Sequence, residues 1–205
     1  RRHMMNSPIC KMLGIEFPLL AFSHCRDVVV AVSKAGGMGV FGAVNLPPDR
    51  LKEELDWIDK HCGGKPYGVD LIVPNKMEGK ADAFNPSALL GAIPQAHKDF
   101  AAGILKQHGI EPGDLESDRS NSVNFARNMR EDGAANSLEV AFQYPIKLIA
   151  NALGVPPPVM LELGRRHGIP VAALVGAKEH AVAQVQAGVD ILVAAGGEAG
   201  GHCGD

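Results

Sequence analysis

The chain repeats one short rhythm. An apolar run of four to eight residues is followed by a stretch with helical spacing, then by glycine, and then by the next apolar run. Phe17–Phe22 reads as a first strand, and Arg26–Ala35 as a helix with Val28, Val29, Ala31, Val32 and Ala35 on its apolar face. Gly36-Gly37 stops that helix, as glycine does at helix C-termini. Met38–Ala43 is a second buried strand, and Pro47-Pro48-Asp49 opens a helix to about His61 with Leu51, Leu55 and Ile58 inward. Tyr67–Val73 is a third strand. Strands alternating with helices through short connectors imply parallel strands joined by right-handed crossovers.

The rhythm breaks over Met77–Tyr144, far beyond the usual two to six residues of a βα loop. Pro94–His108 has helical spacing, with Ala101, Ile104 and Leu105 on one side, while 109–124 is rich in Gly, Pro, Asp and Ser. We read 77–144 as an insertion on the rim, either a lid, an oligomer contact or a decorated loop. The rhythm then resumes. Ile146–Asn151 is a fourth strand, and a helix runs from Pro156 to His167 with Val159, Met160 and Leu163 inward. Gly168–Val175 is a fifth strand, and Ala177–Ala187 a helix with Ala181, Val182 and Val185 inward. Ile191–Ala195 is a sixth strand, entering a glycine-rich turn. Ile9–Leu13 is a lead-in turn.

Composition narrows the class. Hydrophobic residues make up 46% of the 205, but aromatics only 5%. The core is therefore built from Val, Leu, Ile and Ala, as in buried parallel sheets. A net charge of −3 gives no electrostatic case for nucleic acid or an anionic membrane. No apolar run is long enough to span a bilayer. Four cysteines without CxxC spacing favour reduced thiols in a cytoplasmic protein, and no metal site is expected. Residues 1–8 read as a tag or disordered N-terminus, and 9–205 as a single domain.

Six βα units fit a (β/α)8 TIM barrel, present as an incomplete barrel of about six units with a long insertion after the third strand and truncated at its C-terminal end. A complete barrel takes roughly 250 residues. Six strands also suffice for a doubly wound sheet, but no GxGxxG loop follows the first strand. Polar and small residues gather instead at strand C-terminal ends: Ser23-His24, Asp70, Asn75, Asn151, Gly176 and the final turn. Barrel active sites sit at that end. In the final turn, His202 follows glycines that let the backbone approach a flat or anionic group, and histidine moves protons near neutral pH.

Gly197-Glu-Ala-Gly-Gly-His-Cys-Gly204 resembles the G-x-E-A-G-G-H-x-G signature of the nitronate monooxygenase family, FMN-dependent (β/α)8 barrels. Gly14–Ala21, Ala35–Ala43 and Tyr67–Leu71 resemble the family's first three strand regions. The resemblance implies that His202 is the catalytic base. It implies FMN contacts from Ala21, Phe22, Ser23, Asp70, Gly176, Ala195, Gly196, Gly200 and Gly201. Asp70 stands where the family usually has Asn, and Ala195 where it often has Gln; Phe22-Ser23-His24 replaces the usual Pro-Met. The family's phosphate-binding motifs of the seventh and eighth strands are not in this sequence, so weak or no FMN retention by this chain alone is expected.

The implied activity is oxidation of an alkyl nitronate or nitroalkane with O2. The alternatives are an NAD(P)H-dependent flavin reductase of quinones or enoyl thioesters on the same barrel, and an inactive fragment or binding module. Neither nucleic acid nor membrane is an expected partner, and a homodimer is compatible with the reading.

Overall fold

The computed structural model describes residue 5 and residues 7–44, 46–73, 92–111 and 131–199. Six strands form one sheet: β1 (Leu20–Ser23), β2 (Met38–Gly42), β3 (Tyr67–Leu71), β4 (Leu148–Asn151), β5 (Val171–Val175) and β6 (Ile191–Ala194). All adjacent pairs are parallel, and the strand order is the sequence order, β1-β2-β3-β4-β5-β6. A doubly wound sheet reverses its strand order at a switch point. No reversal occurs here, so successive right-handed crossovers stack their helices on one face and the sheet curls into an arc of a (β/α)8 barrel.

Among the described residues, the helices are α1 (Pro8–Leu13), α2 (Arg26–Ala35), α3 (Pro48–Cys62), α4 (Gln95–Gln107), α5 (Glu131–Ala141), α6 (Pro158–His167) and α7 (Lys178–Ala187). Two apolar clusters occupy the two faces of the sheet. Outside, Val29 and Val30 of α2, Leu51, Leu55 and Ile58 of α3, Leu138 of α5 and Met160 of α6 pack on Phe41, Tyr67, Val69, Leu71, Ile149 and Val171. Inside, Met38, Val40, Leu148, Ala150 and Ala172 meet Cys10, Leu13 and Ile15, so α1 and the residues after it plug the lower interior. Alternation along each strand sends neighbouring residues to opposite faces, which is why one apolar run feeds both clusters. Among the described residues, no helix is long and apolar enough to cross a membrane.

Several local expectations change. Residues 9–13 are not a turn: α1 starts at Pro8, where proline's missing N–H is harmless, and closes on Gly14 at φ 70°. On α2, Val28 is exposed, and the buried face is Val29, Val30 and Ser33. Ser33 belongs there because its Oγ accepts a hydrogen bond from Gly39 N at 3.0 Å. A Cβ on Gly39 would stand 2.2 Å from Val29 O, so glycine is what lets α2 seat on β2. On α6, Val159 is exposed while Met160 and Gly164 are buried. On α7, Val182 and Val185 face out, and the buried side chain is Gln184. Its Nε2 donates to Leu174 O at 2.9 Å, fastening α7 to β5 through a backbone carbonyl rather than an apolar seam.

Within 77–144, the described parts are α4 with its flanks and α5. α4 buries no residue. α5 instead takes the place of the crossover helix between β3 and β4, with Ala134, Leu138 and Ala141 in the outer core.

Candidate active site

The C-terminal ends of the strands form one rim, and the register shows what lines its inner side. Gly42 pairs with Asp70, Asp70 with Ala150, and Ala150 with Ala172. One level below, Val40 pairs with Gly68 and Gly68 with Leu148. The lower level is thus filled by large side chains and by α1. From β2 to β5 the upper level carries three small residues and a single polar one, Asp70, and Ile191 of β6 pairs with Ala172. Small residues at this level keep side-chain bulk away from Asp70, while the Phe22 and His24 rings cover Gly42.

Asp70 is the most unusual residue of the rim. It is 5% exposed, and its Oδ1 is buried with no hydrogen-bond partner among the described residues. An unpaired buried polar atom is costly, and native proteins rarely keep one without a purpose. Burial raises its pKa to about 7, because the charged form is the one that loses hydration.

Of the expected contacts on β1, Phe22 is the side chain on the inner face. Ala21 and Ser23 pair with Gly39 and Phe41, whose side of the sheet is the helix side. Ser23 Oγ accepts from Cys25 N at 3.0 Å, turning the chain into α2. Phe22 is 55% exposed and meets His24 edge-on, with ring centroids 5.0 Å apart. Both rings lie over Gly42: a Cβ there would stand 2.5 Å from Phe22 Cζ and 2.8 Å from His24 Nδ1. His24 Nδ1 is 2.9 Å from Gly42 O. A carbonyl oxygen only accepts, so Nδ1 carries the hydrogen and neutral His24 keeps Nε2 as an acceptor.

At the far side, Gly176 and Gly196 are exposed and Ala195 N donates to Val175 O at 3.0 Å. The turn after β6 is described to Ala199, whose N–H donates to Gly196 O at 3.0 Å. Gly200, Gly201 and His202 lie outside the described residues, as does Asn75. Asn151 does not face the interior. Its Oδ1 accepts from Val73 N at 2.9 Å and its Nδ2 donates to Leu153 O at 2.8 Å, so it ties the exits of β3 and β4 together. Gly42, Ala150 and Ala172 were not singled out by sequence. Their signal is weak but present: Gly42 and Ala150 are small residues that follow a large inward one two positions earlier, Val40 and Leu148.

The arc matches solved barrels. A nitroalkane oxidase from Streptomyces ansochromogenes superposes with a TM-score of 0.66 at 24% identity, over 97% of this chain and 51% of that one. FabK from Thermotoga maritima gives 0.63 at 19% identity, over 98% of this chain and 48% of that one. At these identities the likeness concerns the fold. By sequence, a Mycobacterium tuberculosis protein provisionally named a monooxygenase is 46% identical over 98% of this chain and 53% of its own length. A Staphylococcus saprophyticus protein provisionally named a nitronate monooxygenase is 24% identical, over 98% of this chain and 51% of its own. The chain spans about half the length of the curated relatives it matches. The nitronate monooxygenase family model matches residues 6–205, nearly the whole sequence, and the chain belongs to that family of oxidoreductases.

Proposed function

We propose that the protein, at its natural length, is an FMN-dependent enzyme that oxidises alkyl nitronates with O2 in the cytoplasm, with His202 as the base toward neutral nitroalkanes. The observation that carries this reading is the inner rim. Gly42, Ala150 and Ala172 are small residues around Asp70, whose buried Oδ1 has no hydrogen-bond partner among the described residues, and in sequence Gly200-Gly201-His202 follows β6. The residues fit a flat heteroaromatic ring: small residues on the inner face, an aromatic side chain from Phe22, and one buried polar atom without a partner among the described residues.

Bound FMN would supply the electron-accepting chemistry. The protein's own share is positional and protonic. Ala21–Ser23, Gly176, Ala195 and Gly196 would offer backbone at strand ends, Gly200 and Gly201 would form the wall beside the ring, and Asp70 would address it from below. His202 would take the proton from the carbon next to the nitro group, a role suited to an imidazole near neutral pH. A nitronate has already lost that proton, so it needs orientation rather than a base.

The reading is tested by purifying the protein at its natural length and measuring its flavin spectrum and nitronate turnover. A bound flavin absorbance near a 1:1 ratio, with O2-dependent nitronate consumption, is the expected result. A colourless protein that does not take up added FMN contradicts it. Anaerobic bleaching by NADPH or NADH, without nitronate turnover, would replace it with the reductase reading.

A further inference from the structure

We infer that Asp70 acts toward its ligand as an uncharged acid, donating a hydrogen bond from its carboxyl to an acceptor atom on the flat ring bound at the inner rim, so that ring binding weakens as the carboxyl ionises. The inference rests on the flavin reading above and specifies the protonation state in which that site works.

The geometry carries it. Asp70 is nearly fully buried, yet Oδ1 has no donor facing it among the described residues. Its neighbours across the sheet are Gly42 and Ala150, which bring neither charge nor side-chain donor. Among the described residues, the titratable groups on its side of the sheet include His24, whose Nδ1 is 2.9 Å from Gly42 O, and the buried thiol of Cys10 in the α1 plug. The helices packed on β3 meet its other face, where Tyr67, Val69 and Leu71 point; the charged Asp59 of α3 is engaged there by the Tyr67 hydroxyl at 3.3 Å. A carboxylate so placed would be buried with no counter-charge and no donor to Oδ1 among the described residues. A carboxylic acid would have one O–H to give, and a ring with exposed nitrogen or carbonyl acceptors takes it. An ionised Asp70 would instead set a lone pair against those acceptors and add negative charge beside any ring that becomes anionic on reduction. Burial raising the Asp70 pKa to about 7 is consistent with the acid being available under physiological conditions.

The experiment is FMN binding by fluorescence quenching, on the protein at its natural length stripped of flavin, between pH 6 and 8.5. Wild type should lose affinity by about 30-fold across that range, as a group titrating near 7 ionises in the free protein and must be reprotonated to bind. Asp70→Asn holds a permanent donor in the same shape. It should bind tightly and vary by less than about 3-fold over the same range. A flat wild-type profile, or an Asn variant with the wild-type slope, overturns the inference while leaving the flavin site standing. No FMN uptake by either protein at any pH, with native circular dichroism in both, overturns the flavin reading and the inference with it. The midpoint potential of bound flavin gives a second readout: wild type should show a break in its pH dependence that Asp70→Asn lacks.

Discussion

The sheet has a covered flank and a bare one, built from similar sequence. Every residue of β2 and β3 is buried, on both faces. In β6, Ile191 is half-buried and Leu192, Val193 and Ala194 are exposed, although this run is as apolar as Met38–Gly42. The helices repeat the contrast. α3 buries Leu51, Leu55, Ile58 and Cys62, whereas α7 leaves Val182 and Val185 exposed and buries Gln184. The cause lies in neighbours. β2 and β3 each have a strand on both sides, α2, α3 and α5 outside, and the α1 plug within reach inside. β6 pairs with β5 alone among the described residues. An apolar strand has the capacity to be buried; whether it is depends on what packs against it.

Substitutions should reproduce that asymmetry. The largest loss is expected from Leu55→Ala, which empties a fully buried site between α3 and the sheet and should cost about 2–5 kcal/mol in denaturant unfolding. A cost below about 1 kcal/mol would mean the covered flank is not the stabilising one.

Next comes a pH effect within the covered flank. The folded-state pKa of Asp70 lies above its unfolded value of 3.8, so the folded state binds the extra proton between the two. The associated stability is complete below about pH 4 and is lost as pH rises through about 7. Asp70→Asn should remove that dependence, so its stability advantage over wild type grows toward neutral pH by at most about 1.4 kcal/mol per pH unit. Parallel stability profiles of the two proteins would show that Asp70 is already charged when folded.

Asn151→Ala tests the join between the flanks. It leaves Val73 N–H buried without its acceptor and should cost about 1–3 kcal/mol. Val185→Ala on the bare flank should change stability by less than about 0.5 kcal/mol, because that side chain is 59% exposed. If Val185→Ala were as damaging as Leu55→Ala, the bare flank would be covered in solution by something else.

Much of this was legible in the sequence. The six strands, the six-unit rhythm and the inner face of α3 follow from apolar spacing and from glycine at helix ends such as Gly36 and Gly188. Choosing the barrel over a doubly wound sheet needed the strand order, which periodicity does not encode. The faces of α2, α6 and α7 were misjudged for one reason. Apolar spacing ranks Val28, Val159 and Val182 as inward, but Ser33, Gly164 and Gln184 are the residues that fit, through a hydroxyl bonded to a strand N–H, a close helix approach and an amide bonded to a strand carbonyl. Asp70 was visible as a departure from the family's Asn. The burial of its Oδ1 without a partner among the described residues was not, because that depends on Gly42 and Ala150 standing on either side.

His202 is the proposed base toward a neutral nitroalkane. The most direct test compares kcat/KM of His202→Ala for a neutral nitroalkane and for the matching pre-ionised nitronate, in the flavin-loaded protein. Loss of a general base predicts a fall of about 10²–10⁴-fold for the neutral substrate. The nitronate, with no proton to lose, should fall by less than about 10-fold. Equal losses for both would contradict the base role of His202, and undiminished activity on the neutral nitroalkane would place the base elsewhere.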